Sequence, residues 1–308
     1  MWMRSRGVVV QESLCQVEDL RSKTFHEIRC SPGIRQTPPQ AQRLTKTARS
    51  RSVSVLMGRA IDLMTTGLGM VARLGVGIRA AQGTRQPAIL LELYEFELSP
   101  YCRKVREALT ELDLDARIFP CPRQGKAYRP RVAELGGKEQ FPFLVDPNTG
   151  QMLYESADII DYLFAEYGNS RPPPWLSFAP LANTTSFLAS AVRPTRGVKA
   201  RPSRHPLEPL ELYSMEASPF CRLVRETLCE LELSYVLHNL GRAGAVDFLP
   251  PQLRQRLAPH SEYTTAKRRA LAEHAGRVSL PFLADPNTGV ELFESADINR
   301  YLLETYAL

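Results

Sequence analysis

The chain has 308 residues, 44% of them hydrophobic and 23% charged, with a formal net charge of +6. That is enough apolar residue to build a sizeable core and excludes collagen-like or wholly disordered classes. The cationic excess is local: residues 1–88 hold 14 Lys+Arg against 5 Asp+Glu, and residues 89–308 hold 25 against 28, so the folded part gives no electrostatic reason to expect a nucleic-acid partner.

The leader, residues 1–88, is rich in Arg, Ser and Thr and poor in acids, the composition of an organellar transit peptide. Glu12, Glu18, Asp19 and Glu27 keep open a plain disordered extension. Residues 53–81 read as an amphipathic, surface-seeking helix. Arg59, Asp62 and Arg73 interrupt every window of about 18 apolar residues, so no membrane span is expected.

From residue 91 the chain says the same thing twice. Residues 91–114, LELYEFELSPYCRKVREALTELDL, return at 210–233 as LELYSMEASPFCRLVRETLCELEL, identical at 16 of 24 positions. The stretch from Pro142, PFLVDPNTGQMLYESADIIDYLFAEY, returns from Pro281 as PFLADPNTGVELFESADINRYLLETY, identical at 17 of 26. Two copies of one small domain therefore stand in tandem.

Each copy alternates strand and helix. In copy one, residues 91–96 form a short apolar strand. Ser99 caps a helix with Pro100 at its first position and Val105, Leu109 and Leu112 on one face. A second strand falls near 116–119 and a short helix near 129–136. Two strands, 143–145 and 152–154, are joined by the turn DPNTG, and a last helix runs from 155 to about 167. The fold class is α/β, in the order βαβ-α-ββα. The expected domains are 89–168 and 208–308. Each is near the lower limit for an independent core, which allows the two to pair. Residues 169–207 (RPPPWL, RPTRG, ARPSRHP) read as a linker with little regular structure.

Six cysteines without a CxxC spacing argue for free thiols and against a disulfide framework, a zinc knuckle or a dithiol redox motif. Cys229 reads as a small buried hydrophobe, and Cys121 has no counterpart in copy two. No metal is expected.

The element order, with S-P-[YF]-C at the first helix, [FL]-P-F-L before the hairpin and E-S-A-D-I opening the last helix, resembles the N-terminal, thioredoxin-like domain of glutathione S-transferases, itself akin to glutaredoxins. The tandem pair behind a transit-like leader resembles plant and algal plastid proteins of this type. Plastid location is the expectation, with mitochondrion or cytoplasm as alternatives. The all-helical domain that follows this domain in a full transferase is not expected here.

The resemblance implies glutathione as ligand. Ser99 and Ser218 stand where a glutaredoxin has its nucleophilic cysteine. In serine-type transferases that hydroxyl stabilises the glutathione thiolate, and helix N-termini favour thiolates. Cys102 and Cys221 match the second cysteine and are the alternative nucleophiles. Pro142 and Pro281 match the family's cis-proline, which turns the backbone of Phe141 and Leu280 toward the cysteinyl part of glutathione. Glu155–Ser156 and Glu294–Ser295 match the pair that grips its γ-glutamyl end, a carboxylate for the ammonium and a helix N-terminus for the carboxylate. Arg123, Lys126 or Lys138 is the candidate for the glycine carboxylate. In copy two, Arg268, Arg269 and Arg277 read as a solvated helical face. Copy one keeps the more family-like middle and is the first choice if only one works. The expected chemistry is thiol transfer or glutathione-dependent conjugation. The rival is a non-catalytic adaptor in which these motifs persist as caps and turns.

Overall fold

The computed structural model describes residues 60–71, 73, 75–81, 83–249, 253, 256–257 and 262–308. Expectations for residues before 60, including the transit-like segment, Cys15 and Cys30, lie outside the described residues. The described residues belong to one compact unit, 51–308.

In chain order the elements are α1 (60–71), β1 (Leu91–Glu95), α2 (Pro100–Glu111), β2 (Ala116–Pro120), α3 (Arg129–Gly136), β3 (Phe143–Asp146), β4 (Gln151–Leu153), α4 (Ser156–Tyr167), α5 (Pro174–Ser177) and α6 (Ala179–Ala191). Copy two follows with β5 (Leu210–Ser214), α7 (Pro219–Glu230), β6 (Tyr235–Asn239), a 3-10 turn Ala245–Phe248, α8 (Ala266–Ala275), β7 (Phe282–Asp285), β8 (Val290–Phe293) and α9 (Ser295–Tyr306). Each copy has the βαβ-α-ββα order that its periodicity predicts, and the thioredoxin-like fold that its resemblance implies.

The two sheets are one. Strand order is β4-β3-β1-β2-β6-β5-β7-β8, and the seam is the antiparallel pair β2–β6, in register Ala116↔Leu237, Arg117↔Val236, Ile118↔Tyr235. Residue n of copy one thus pairs about a local two-fold axis at Arg117 and Val236. The contact is isologous, like that of a symmetric dimer, and it removes the edge each β2-type strand would otherwise expose. Core residues of both copies, among them Leu91, Val105, Leu109, Leu210, Val224 and Leu228, form a single apolar cluster. Smaller clusters lie under α3 (Tyr94, Val132, Phe143) and under α8 (Leu240, Leu271, Phe282).

Two expectations are corrected. Residues 169–207 are not an unstructured linker, since α5 and α6 lie there. Nor does the folded part begin at residue 89, since α1 and residues 75–81 belong to it. The repeat unit itself is longer than its two conspicuous blocks. At an offset of 120, Thr65, Leu68, Arg73, Gly77 and Ala80 recur as Thr185, Leu188, Arg193, Gly197 and Ala200. Each helix is followed by a short segment that crosses to the other copy. Ala80 N–H donates to Arg242 C=O and Arg242 N–H to Ile78 C=O, while Arg123 N–H donates to Val198 C=O and Ala200 N–H to Arg123 C=O. Gly77 and Gly197 hold φ +82° and +65° at this crossing. A Cβ there would meet Cβ of Glu216 at 3.1 Å or of Glu97 at 3.0 Å, so both conformation and space require glycine.

Behind the seam lies a buried ionic network with the same symmetry. Arg106 pairs with Glu95, Glu97 and Glu216; Arg225 pairs with Glu97 and Glu216. Farther out, Arg73 pairs with Glu107, and Arg193 with Glu226. The last two tie α1 and α6 to α2 and α7, and their guanidinium groups also reach the opposite helix: Arg73 donates to Ala182 C=O and Arg193 to the Asp62 carboxylate.

Candidate functional site

Ser99 and Ser218 cap α2 and α7. Each hydroxyl oxygen accepts from the N–H three residues on, Cys102 or Cys221, at 3.3 Å, and Pro100 or Pro219 occupies the first helical position. Capping engages one lone pair and leaves the O–H to donate elsewhere, so the cap and an activating role are compatible. Both serines are nearly covered, 4% and 7% exposed.

Cys102 and Cys221, one turn into these helices, are fully buried. Burial, reinforced by the charge of Glu95, pushes the Cys102 thiol up to about 12. A thiol so placed stays protonated and out of reach, the opposite of a reactive cysteine. Cys121 and Cys229 are buried too, and burial raises both thiols.

Both Phe141–Pro142 and Leu280–Pro281 peptide bonds are cis. Among the described residues, no hydrogen bond takes up the backbone N–H or C=O of Phe141 or Leu280, so these groups are free for a strand-like partner.

Glu155 and Glu294 precede α4 and α9 with φ +62° and +69° and ψ near 118°. This region is sparsely populated for a residue with a Cβ and costs about 1–3 kcal/mol. Both copies maintain it, and both carboxylates stay exposed. Ser156 and Ser295 are buried at the helix starts, where the first backbone N–H groups have no partner within the helix. The side chains differ in their surroundings: Glu155 accepts from Gln140 Nε2, whereas Glu294 lines a cavity.

That cavity, about 580 Å³, is lined by Glu294 and Ser295 together with the apolar Leu63 of α1, Phe220 and Leu223 of α7, and Leu303 of α9. Its size and mixed lining are those of a small-molecule site. Copy one differs at the matching place. Lys104 stands where copy two has Leu223, donating to Asn183 Oδ1 at 2.8 Å and lying over the Tyr101 ring. Burial, with the nearby Arg73 charge, lowers its pKa, and Glu155 is among the charges that oppose this. The copy-two cavity is thus lined by Leu223 where copy one carries the paired Lys104.

Ser218 does not line that cavity. It faces a second, nearly closed space with Thr66, Met70, Arg73, Arg103 and Arg222. The structure thus brings Ser295 and Glu294 together in the groove and sets Ser218 behind α1.

The capped S-P-[YF]-C start, the cis-proline and the E-S start fall, in each copy, within one region of family similarity. The family model described as glutathione S-transferase, N-terminal domain, matches residues 93–171 and 212–308. The chain belongs to this family. The glutathione S-transferase N-terminal domain is present twice, and the shared fold supports a glutathione-related thioredoxin-fold protein. A solved structure, Bombyx mori glutathione transferase BmGSTD1, matches at 28% identity over 28% of this chain, with a TM-score of 0.25; the match spans 39% of that structure's length. No curated protein matches.

The cation that lies over Phe141, 4.7 Å from the ring centroid, is Arg129, which is not one of the three considered for the glycine carboxylate. Lys138 lies over Tyr154 at 4.6 Å. In copy two Arg268 is buried and donates to the Leu240 and Gly241 carbonyls, so it is not part of a solvated face. Among the described residues no helix is long and apolar enough to cross a membrane, and no cluster of His, Cys, Asp and Glu is arranged to hold a metal.

The sequence reading missed the buried arginines. A signal existed: R-x-x-R-E occurs in both copies, Arg103-Arg106-Glu107 and Arg222-Arg225-Glu226, and charged residues retained at one helical face argue for partners.

Proposed function

We propose that the protein binds glutathione, or the glutathionyl group of a modified partner, in the groove of copy two. Glu294 takes the γ-glutamyl ammonium, Ser295 and the start of α9 take its carboxylate, and the backbone of Leu280 pairs with the cysteinyl unit. Copy one offers the same parts in Phe141, Pro142, Glu155 and Ser156, with Lys104 filling the groove. The observation that carries this reading is the cavity built on Glu294 and Ser295, a strained and retained helix start facing open space.

The chemistry this supports is of the serine type, with Ser218 or Ser99 donating to a glutathione thiolate. Attack by Cys102 or Cys221 finds no support in two fully buried thiols, of which Cys102 is also held protonated. The adaptor reading has its own observation: Ser218 lies behind α1, and a binding module needs no access to it. Calorimetric titration of the chain with reduced glutathione separates these. Saturable binding abolished by Glu294→Gln and weakly affected by Glu155→Gln supports the groove; no heat at millimolar glutathione leaves the adaptor. The Arg- and Ser-rich leader supports a plastid address. A fluorescent fusion of residues 1–59 that stays out of plastids would overturn that address.

A further inference from the structure

Helices α1 and α6 obey the same two-fold as the strands of the seam. They meet at Gly69 and Ala189, positions 120 residues apart, where a Cβ on Gly69 would stand 3.1 Å from the Ala189 carbonyl oxygen. Arg73, just past α1, donates to the Ala182 C=O and Thr185 Oγ1 of α6. Arg193, just past α6, donates to the Asp62 C=O and Thr65 Oγ1 of α1. These mirrored contacts make the pair antiparallel and set the local axis between the two helices. Their inner sides are occupied: Ser186 of α6 donates to the Pro100 C=O of α2, and Leu63 of α1 lies beside Phe220 and Leu223 of α7.

Their outer sides stand in water. On α1, Ile61, Met64, Leu68 and Val71 are each more than half exposed, Met64 at 69%. Their three-four-three spacing is that of a helix-packing seam. The same register on α6 carries Leu181, Thr184, Leu188 and Ala191, all exposed. With Leu63 and Phe187 at the flanks, the large apolar side chains leave on the order of 800 Å² in water, more than the largest patch of a typical monomer and close to one partner's share of a standard interface. Two features choose the occupant. Between 60 and 71 and between 179 and 191 the only charged residue is Asp62, and Arg193 holds it. A face without a free charge offers nothing to a nucleic acid or a charged peptide, and a helix that lies on lipid carries Lys or Arg along its polar side, which both helices lack. The face also matches itself, because a two-fold axis runs through its centre and a second copy presents the same two stripes.

We propose that this face is where the protein associates with itself, α1 and α6 of one chain seating against α1 and α6 of a second copy as a layer of four helices. The contact is isologous, with Leu68 and Leu188, next to the Gly69–Ala189 crossing, at its centre. One symmetry is then used twice. The β2–β6 seam pairs the two repeats within a chain, and the outer helices pair two chains. Neither surface depends on the ligand proposed above.

The test is sedimentation velocity of the full chain from about 1 to about 100 µM, a range that spans the dissociation constants of weak and moderate self-association. The expected result is a shift toward twice the monomer mass as concentration rises. Met64→Lys with Leu188→Lys, both at exposed positions, abolishes the shift while the far-ultraviolet spectrum keeps its wild-type form, and Met64→Glu with Leu188→Glu does the same. Mixing the two double variants restores the dimer, a rescue that a merely damaged fold would not give. Hydrogen exchange on the wild-type chain locates the contact without any substitution: amides of 60–71 and 179–191 gain protection with concentration. A wild-type chain that stays monomeric over the whole range overturns the proposal, and its flotation with phosphatidylcholine vesicles would then name lipid as the occupant. A dimer whose 60–71 and 179–191 amides exchange at the monomer's rate, or that both double variants retain, overturns it as well, since its contact lies elsewhere.

Discussion

Arg106 of copy one grips Glu216 of copy two through Nε–Oε2 at 3.0 Å and Nη2–Oε1 at 3.3 Å, and its mirror, Arg225, grips Glu97 at 3.1 and 3.2 Å. The repeat has turned a chain duplication into a closed set of crossed, two-point ion pairs. Arginine suits this role because its planar fork meets a carboxylate at two points.

Removing one partner of such a buried pair leaves a charge without its counter-charge, at a cost of about 3–5 kcal/mol. Glu216 serves three arginines, Arg103, Arg106 and Arg225, whereas Glu97 serves two. Glu216→Gln should therefore destabilise more than Glu97→Gln in urea unfolding. Equal losses would show that the crossed pairs, not the triple contact, dominate.

The network also sets a pH dependence. Burial raises the Glu95 carboxyl to about 7, against the Arg106 charge and with help from Glu97 and Glu216. The folded state then holds a proton that the unfolded chain has released, from its ordinary carboxyl range up to about pH 7. Stability falls as pH rises through that window, by at most about 1.4 kcal/mol per pH unit for one proton. Glu216 behaves oppositely. Burial alone would raise it, but Arg106, Arg225 and Arg103 hold it at about 2, so its contribution is present above the ordinary range and lost as pH falls toward 2. Glu95→Gln should flatten the slope between pH 5 and 7 and leave the acid limb, as read from urea midpoints across pH.

The serine caps separate into structure and chemistry by substitution. Ser218→Ala removes a cap worth about 1 kcal/mol. Ser218→Asn restores the cap without a hydroxyl. If Ser218 acts on a thiolate, the Asn variant recovers urea stability but not the lowered thiol pKa of bound glutathione. Recovery of both would assign the residue to capping alone.

The described cysteines, Cys102, Cys121, Cys221 and Cys229, are all buried. In native buffer they should resist alkylation and react only after unfolding. Rapid native labelling of Cys102 or Cys221 would return the cysteine mechanism to consideration.

How far the sequence carried this reading depends on the kind of signal. The strands, α2, α4, their counterparts and the hairpin turns were legible because period-two and period-3.6 patterns, Ser-Pro caps and DPNTG are local codes. Even there the turn does more than bend. Asp146 accepts from Asn148 in the turn and from Tyr162 and Tyr167 of α4, and Asp285 repeats this with Asn287, Tyr301 and Tyr306. The seam was not legible, since pairing of Ala116 with Leu237 is a contact at long range that no window contains. Helix α6 was hidden by the prolines on both sides of it, although Pro180 sits in its first turn, where proline is tolerated. The contrast between the two copies at the groove was not legible either, because Lys104 and Leu223 look interchangeable in a helix pattern. They differ only once Asn183 and Leu63 are placed beside them.

The longer repeat gives the last prediction. A chain beginning at residue 88 keeps both family-model matches but loses α1, the Arg73–Glu107 pair, the pairing of Ala80 with Arg242 and one wall of the copy-two groove. Glu107 would be left buried without Arg73, and Asp62 would no longer face Arg193. If residues 60–81 are part of the domain, the chain from 88 unfolds at lower urea than the chain from 60 and binds glutathione more weakly, while Arg73→Gln in the longer chain reproduces part of the stability loss. If they are only a leader, the two chains share one urea midpoint and one affinity. The symmetry favours the first outcome: Arg193, Gly197 and Ala200 do for copy two, inside the chain, what Arg73, Gly77 and Ala80 do for copy one at its start.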